Sequence, residues 1–108
     1  MTKANRTGIG LPTHRPPTSP GEMLREEFLV PMGITQSELA ERMGVPVGRV
    51  NQILQQKRAL TADTAVRLSR VLGMSAEFWL GLQTDWELWH ARRKVNLRDL
   101  KPISRKAG

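Results

Sequence analysis

The chain contains no cysteine, so it carries no disulfide framework and no thiolate metal site. It has no apolar run near the ~20 residues that a membrane-spanning helix needs. Its first residues lack the hydrophobic core of a secretory signal. These absences fit a reducing cytoplasm and leave the membrane out as a partner. Histidine is scarce: of the two present, His14 and His90 lie too far apart in sequence to offer metal spacing. Asp85 and Glu87 stand near His90, but side chains two residues apart on a helix do not share a face. No activated nucleophile is visible. The expectation is a protein without catalysis, cofactor or metal. There is also no internal repeat and no segment that reads as a strand.

What is present is helix punctuation. A chain of 108 residues makes one domain with tails, large enough to bury a modest core. Residues 1–18 are rich in Pro and Gly without an apolar period, and read as a flexible arm. Ser19-Pro20-Gly21-Glu22 is a capping box with proline in the first helical position. Helix 1 is expected to run to about Leu29, burying Met23, Leu24, Phe28 and Leu29, with Pro31 and Gly33 ending it. Thr61 caps a fourth helix with a stripe of Ala65, Leu68 and Leu72, stopped by Gly73. Ser75 caps a fifth, on which Phe78, Trp79, Leu82, Trp86 and Trp89 recur at spacings of three and four. The pattern fades near Lys94. Residues 95–108 form a basic tail whose Val95, Leu97, Leu100 and Ile103 suit either a frayed end or a partner.

The most informative stretch is ITQSELAERMGVPVGRVNQIL, residues 34–54. Thr35 and Glu38 make another capping box. Leu39 and Met43 lie four apart on one face, and Ala40 between them is small enough for a neighbouring helix to approach. Gly44 ends the helix. Val45 fills the turn and Pro46 opens the next helix. Val50, Ile53 and Leu54 form its buried stripe, which leaves Val47, Gly48, Asn51 and Gln52 outward. Helix, tight turn and helix with a polar outer face is the pattern of a helix-turn-helix, whose second helix enters the major groove of DNA.

Charge supports that placement. The net charge is +7, but it is not spread evenly. Residues 21–41 set Arg25 against Glu22, Glu26, Glu27, Glu38 and Glu41. Residues 42–70 set Arg42, Arg49, Lys57, Arg58, Arg67 and Arg70 against Asp63 alone. The basic block coincides with the second helix of the motif and the loop after it, as an electrostatic footprint for nucleic acid should.

Beyond the motif, several pieces carry a family likeness: Pro20-Gly21-Glu22, Leu24, Glu27-Phe28-Leu29, Lys57-Arg58, Thr61-Ala62-Asp63-Thr64-Ala65, Leu68, and Phe78-Trp79-Leu80 followed by Leu82-Gln83. The chain resembles the HigA-type (VapI-like) antitoxins of the Xre/Cro helix-turn-helix family over about residues 18–93. The resemblance implies an all-α, five-helix, lambda-repressor-like domain over residues 19–94, and the three tryptophans of its last helix, more than a small core needs, mark that helix as the expected dimerisation helix. It implies a bacterial antitoxin, cytoplasmic and associated with the nucleoid, that neutralises a HigB-type mRNA-cleaving toxin. The antitoxin would repress its own operon as a homodimer on double-stranded operator DNA. Two alternatives stay open: a solitary Xre-type repressor without a toxin, and a toxin-binding module with secondary DNA binding.

The expected DNA-binding set is Gln36, Pro46, Val47, Gly48, Arg49, Asn51, Gln52, Gln55, Lys57 and Arg58. Gln36 matches the position at which Xre-type repressors hold phosphate. Val47 suits a thymine methyl, and Asn51 and Gln52 suit adenine. Gly48 permits close approach of the helix. Arg49 suits guanine or phosphate. Lys57 and Arg58 suit the backbone, fixing register without reading sequence. Pro46, Val47 and Gly48 offer few hydrogen bonds, so DNA shape is expected to carry part of the specificity. For the dimer the expected seam is Trp79, Leu82, Trp86 and Trp89, with Phe78 and Trp79 also suited to the core.

Overall fold

Four hydroxyl side chains set where helices begin. Ser19, Thr35, Thr61 and Ser75 each stand in extended backbone, and each accepts from the amide three residues on. The bonds are those expected of N-caps, each worth roughly 1 kcal/mol. The computed structural model describes residues 15–104. Among these, α1 begins as an α-helix over Pro20–Leu24, widens to a π-turn over Arg25–Leu29 and closes over Val30–Met32. Then follow α2 (Gln36–Met43), α3 (Val47–Leu54), α4 (Ala62–Leu72) and α5 (Ala76–Lys94). No strand occurs among the described residues. Residues 1–14 and 105–108, which hold His14 and most of the expected arm, lie outside them.

Two boundaries differ from the sequence reading. Helix α1 does not stop near Leu29 but carries Pro31 in its last turn. Upstream the Val30 amide donates to the Arg25 carbonyl, so the α-type ladder that a proline would interrupt is already broken. Gly33 then ends the helix at φ 65°, and the Ile34 amide reaches back 3.0 Å to the Leu29 carbonyl. Pro46 is the second case. It stands just before α3 with ψ 147°, as the cap residue rather than the first helical one.

The core is built from one stripe per helix. Leu24 and Leu29 meet Leu39, Ala40 and Met43, then Val50, Ile53 and Leu54, with Ala65, Leu68, Trp79 and Leu82 closing the far side. Trp79 is 0% exposed. Its ring meets Phe28 at 5.5 Å and Phe78 edge-on at 5.3 Å between centroids. Its Nε1 has no acceptor among the described residues, which offsets part of what its burial contributes.

This placement corrects half of the expected dimer seam. Trp79 and Leu82 are 0% and 6% exposed within a single protomer, so neither has surface to offer a partner. On α5 Leu88 is exposed, and Phe78, Leu80, Trp86 and Trp89 are half-buried.

Candidate nucleic-acid interface

The turn between α2 and α3 is fixed from both sides. Gly44 adopts φ 71°, a region that costs other residues about 1–2 kcal/mol. The Val45 amide donates to the Ala40 carbonyl and the Gly44 amide to the Glu41 carbonyl, a Schellman closure. From α4, Arg67 Nη1 donates to the Met43 carbonyl at 2.8 Å. A guanidinium thus satisfies the end of α2, where carbonyls lack helical partners.

The other end of α3 is held in the same way. Gly21 lets α1 come so close that a Cβ there would collide with the Ile53 carbonyl oxygen. Arg25 Nη2 donates to the Leu54 carbonyl at 3.1 Å. Gln56 takes φ 58° where a glycine would be unstrained. Its Nε2 donates to Ser19 Oγ at 2.9 Å. The Lys57 amide closes the turn on the Gln52 carbonyl at 2.8 Å. The turn that leads into α3 and the end of α3 are therefore anchored by Arg67 of α4 and Arg25 of α1.

On the face so presented, Val47 is 46% exposed. Gly48 is exposed, and a Cβ added there would meet no protein atom within 4 Å. No internal packing requires a glycine at that position. Gln52 and Gln55 are exposed, as are Pro46, Lys57 and Arg58. Asn51 is half-buried and donates through Nδ2 to Gln36 Oε1 at 3.2 Å. That bond joins the start of α2 to the middle of α3 and leaves Asn51 its Oδ1 and Gln36 its amide hydrogens. Arg58 Nη1 donates to Gln52 Oε1 at 3.2 Å. Two residues of the expected DNA-binding set, Gln36 for phosphate and Asn51 for bases, thus meet each other, and Gln52 and Arg58 form a second such pair.

Arg49 is placed differently. Its Nη1 lies 3.3 Å from Asp63 Oδ2, and the same oxygen accepts from Arg67 Nε at 3.0 Å. The hydrogen bond from Arg67, with the charges of Arg67 and Arg49, holds the Asp63 carboxyl below its ordinary value against a smaller opposing effect of burial. It is therefore ionised at neutral pH. Arg49 lies along α4 instead of standing free on the outer face.

Sequence reasoning missed four supports: Arg25, Gln56, Arg67 and Gln83. Arg67 left a signal, since Asp63 and Arg67 are four apart on α4, the spacing of a helical ion pair. Gln83 left a different one. It belongs to the Phe78-Trp79-Leu80 and Leu82-Gln83 signature, and its Oε1 accepts from the Leu60 amide at 2.9 Å. This fixes the loop that carries Lys57 and Arg58. Arg25 and Gln56 left none, because their partners are 29 and 37 residues distant. Among the described residues no group of His, Asp and Glu could hold a metal ion, and no helix is long and apolar enough to cross a membrane.

Comparisons with known proteins agree with this geometry. A helix-turn-helix family profile matches residues 24–79, which span α2, the turn and α3. Antitoxin HigA-1 of Vibrio cholerae is 46% identical over 93 residues, covering 84% of this chain and 88% of that protein. Virulence-associated protein I of Dichelobacter nodosus is 42% identical over 90 residues, covering 82% and 83%. Among solved structures, antitoxin GraA in complex with its operator superposes with a TM-score of 0.75 at 38% identity, covering 91% of this chain and 99% of that one. These likenesses extend well beyond the two helices of the motif and take in α1, α4 and much of α5. The chain belongs to the helix-turn-helix family and, within it, to the HigA-type antitoxins.

Proposed function

We propose that the chain is a DNA-binding antitoxin that represses its own operon as a homodimer and neutralises a HigB-type mRNA-cleaving toxin. The observation that carries this reading is the outer face of α3. Val47, Gly48 and Gln52 stand exposed beside the Gln36–Asn51 pair, with Lys57 and Arg58 exposed just past the helix. An apolar tip, amide groups and flanking cations are what a major-groove reader presents to bases and backbone. The solved antitoxin–operator relative supports the same use of the fold.

In this reading Val47 meets a thymine methyl and Gly48 lets the helix seat deeply. Asn51 and Gln52 hydrogen-bond base edges, while Gln36, Lys57 and Arg58 hold phosphate. One such module buries little DNA surface. A two-fold dimer reads two half-sites one turn apart, roughly 34 Å, and so adds the two contributions. Trp86 and Trp89 on α5 supply the seam. The protein performs no catalysis, and it acts in the bacterial cytoplasm on the nucleoid.

The test is titration of the full chain onto its own promoter and onto an unrelated duplex at several salt concentrations. Tighter binding to the promoter, weakening steeply with salt, is the expected result. Equal affinity for both duplexes at physiological salt overturns the DNA-reading assignment. Co-purification with the product of the neighbouring reading frame tests the antitoxin role. A chain that represses its promoter with no such partner is a plain repressor.

A further inference from the structure

Asp63 is the sole acid between Arg42 and Arg70, and it sits where a phosphate-binding surface would gain from having none. As an ion-pair partner it is a poor stability device. Its carboxylate and the two arginines are solvent-exposed to 58%, 26% and 40% of their side chains, and ion pairs so exposed contribute little to folding. Its position is nonetheless well defined. Arg67, which binds Asp63 through Nε, is itself tied to the Met43 carbonyl through Nη1. The carboxylate is therefore fixed relative to the end of α2, and through it so is Arg49 on α3. Arg49 Nε is buried without a partner, so the side-chain hydrogen bond that holds Arg49 is the one from its charged tip to Asp63.

We infer that Asp63 is a positioning residue that holds Arg49 against α4, out of the set of cations that grip phosphate, and so limits sequence-independent affinity for DNA. The inference rests on the DNA-binding reading above. Each added phosphate contact steepens the dependence of log affinity on log salt by about 0.9. A freed Arg49 adds one such contact per protomer, and loss of the Asp63 charge removes a repulsion at the same place.

The experiment uses the full chain with a promoter fragment and an unrelated duplex of equal length. Asp63→Asn and Asp63→Ser are compared with the unaltered protein across a salt series, with thermal melting to confirm the fold. Both variants are expected to bind the unrelated duplex roughly three- to tenfold more tightly at low salt, with a slope steeper by about 0.9 per protomer. Asp63→Glu, which retains the charge, is expected to restore the original slope. In an Arg49→Gln background the gain from Asp63→Asn should largely vanish. Folded variants with an unchanged slope overturn the inference, as do variants that bind both duplexes more weakly. An undiminished gain in the Arg49→Gln background overturns the role of Arg49. Failure of the unaltered chain to prefer its promoter is a separate result: it defeats the DNA-reading assignment, and this inference with it.

Discussion

Gly48 and Gly81 are both helical glycines with open space where a Cβ would go, but only Gly48 lies on the outer face of α3. Alanine at either position is expected to stabilise the fold by about 0.5–1 kcal/mol, because glycine costs a helix backbone entropy. The two should part company on DNA. Gly48→Ala should weaken promoter binding about tenfold, the scale of a methyl forced into a close contact at ~1–3 kcal/mol, while Gly81→Ala leaves it unchanged. Melting curves and promoter titrations measure both effects. Full promoter affinity in Gly48→Ala would remove close approach as the reason for that glycine. Gln56 poses the reverse problem, a side chain where the backbone favours glycine. Gln56→Ala keeps the strain at φ 58° and loses the bond to Ser19, for an expected loss of about 0.5–1.5 kcal/mol. Gln56→Gly loses the bond but also the strain, so it should be more stable than the alanine variant by ~1–2 kcal/mol. Equal stability of the two variants in urea would show that the strain is not felt.

At the scale of the element, the helix-turn-helix works as a rigid unit because neighbours hold both its turn and its far end. Arg67 from α4 satisfies the end of α2, and Arg25 from α1 satisfies the end of α3. Gly21 sets how near α1 approaches. Helix propensity alone predicts a small gain for Gly21→Ala. The contact term outweighs it, since a Cβ would lie within 2.9 Å of the Leu54 Cα and carbonyl oxygen, and backbone cannot swing aside. A net loss of about 1–3 kcal/mol is expected, with promoter binding reduced further than stability alone explains. Urea denaturation with a parallel promoter titration tests it; a stabilised variant with intact binding would mean that the two helices separate freely. The helix starts were legible in sequence because a cap is local, a hydroxyl and an amide three residues apart. The extension of α1 past Pro31 was not legible. The π-turn before it moves one backbone hydrogen bond from the fourth to the fifth residue back, and no residue type announces it.

At the scale of the whole molecule, α5 outruns the core that its first half helps to build. Nineteen residues make a helix roughly 28 Å long, against roughly 16 Å for the eleven of α4. The first half of α5 packs on α4 and buries Trp79 and Leu82, and the second half extends past the core. There Trp86 and Trp89 lie 4.4 and 5.0 Å from the His90 ring, and Arg93 stacks 3.6 Å above Trp89. Replacing Trp86 and Trp89 together with alanine should leave a folded protomer, because neither supports the main core. It should also yield a monomer whose promoter affinity falls by tenfold or more, since tryptophans at an interface centre each contribute about 2 kcal/mol or more. Sedimentation and promoter titration measure this. A dimer unchanged in sedimentation would move the seam elsewhere.

The sequence by itself determined the order of five helices, most of their ends, the buried stripe of α3 and the family. Each of these is written in patterns spanning a few residues, where backbone geometry fixes which side chains share a face. It also placed Gln36, Asn51, Gln52, Lys57 and Arg58 on one region of the motif, because two helices joined by a three-residue turn have little freedom. Only the tertiary structure decided which of these residues bind one another. It paired Gln36 with Asn51 across 15 residues and turned Arg49 onto Asp63 across 14. It also divided one aromatic stripe, burying Trp79 and Leu82 in the core and leaving Trp86 and Trp89 half-buried outside it. The physical reason is common to all three. Periodicity reports the direction in which a side chain leaves its helix, whereas its partner depends on how helices cross and how far each outruns the next.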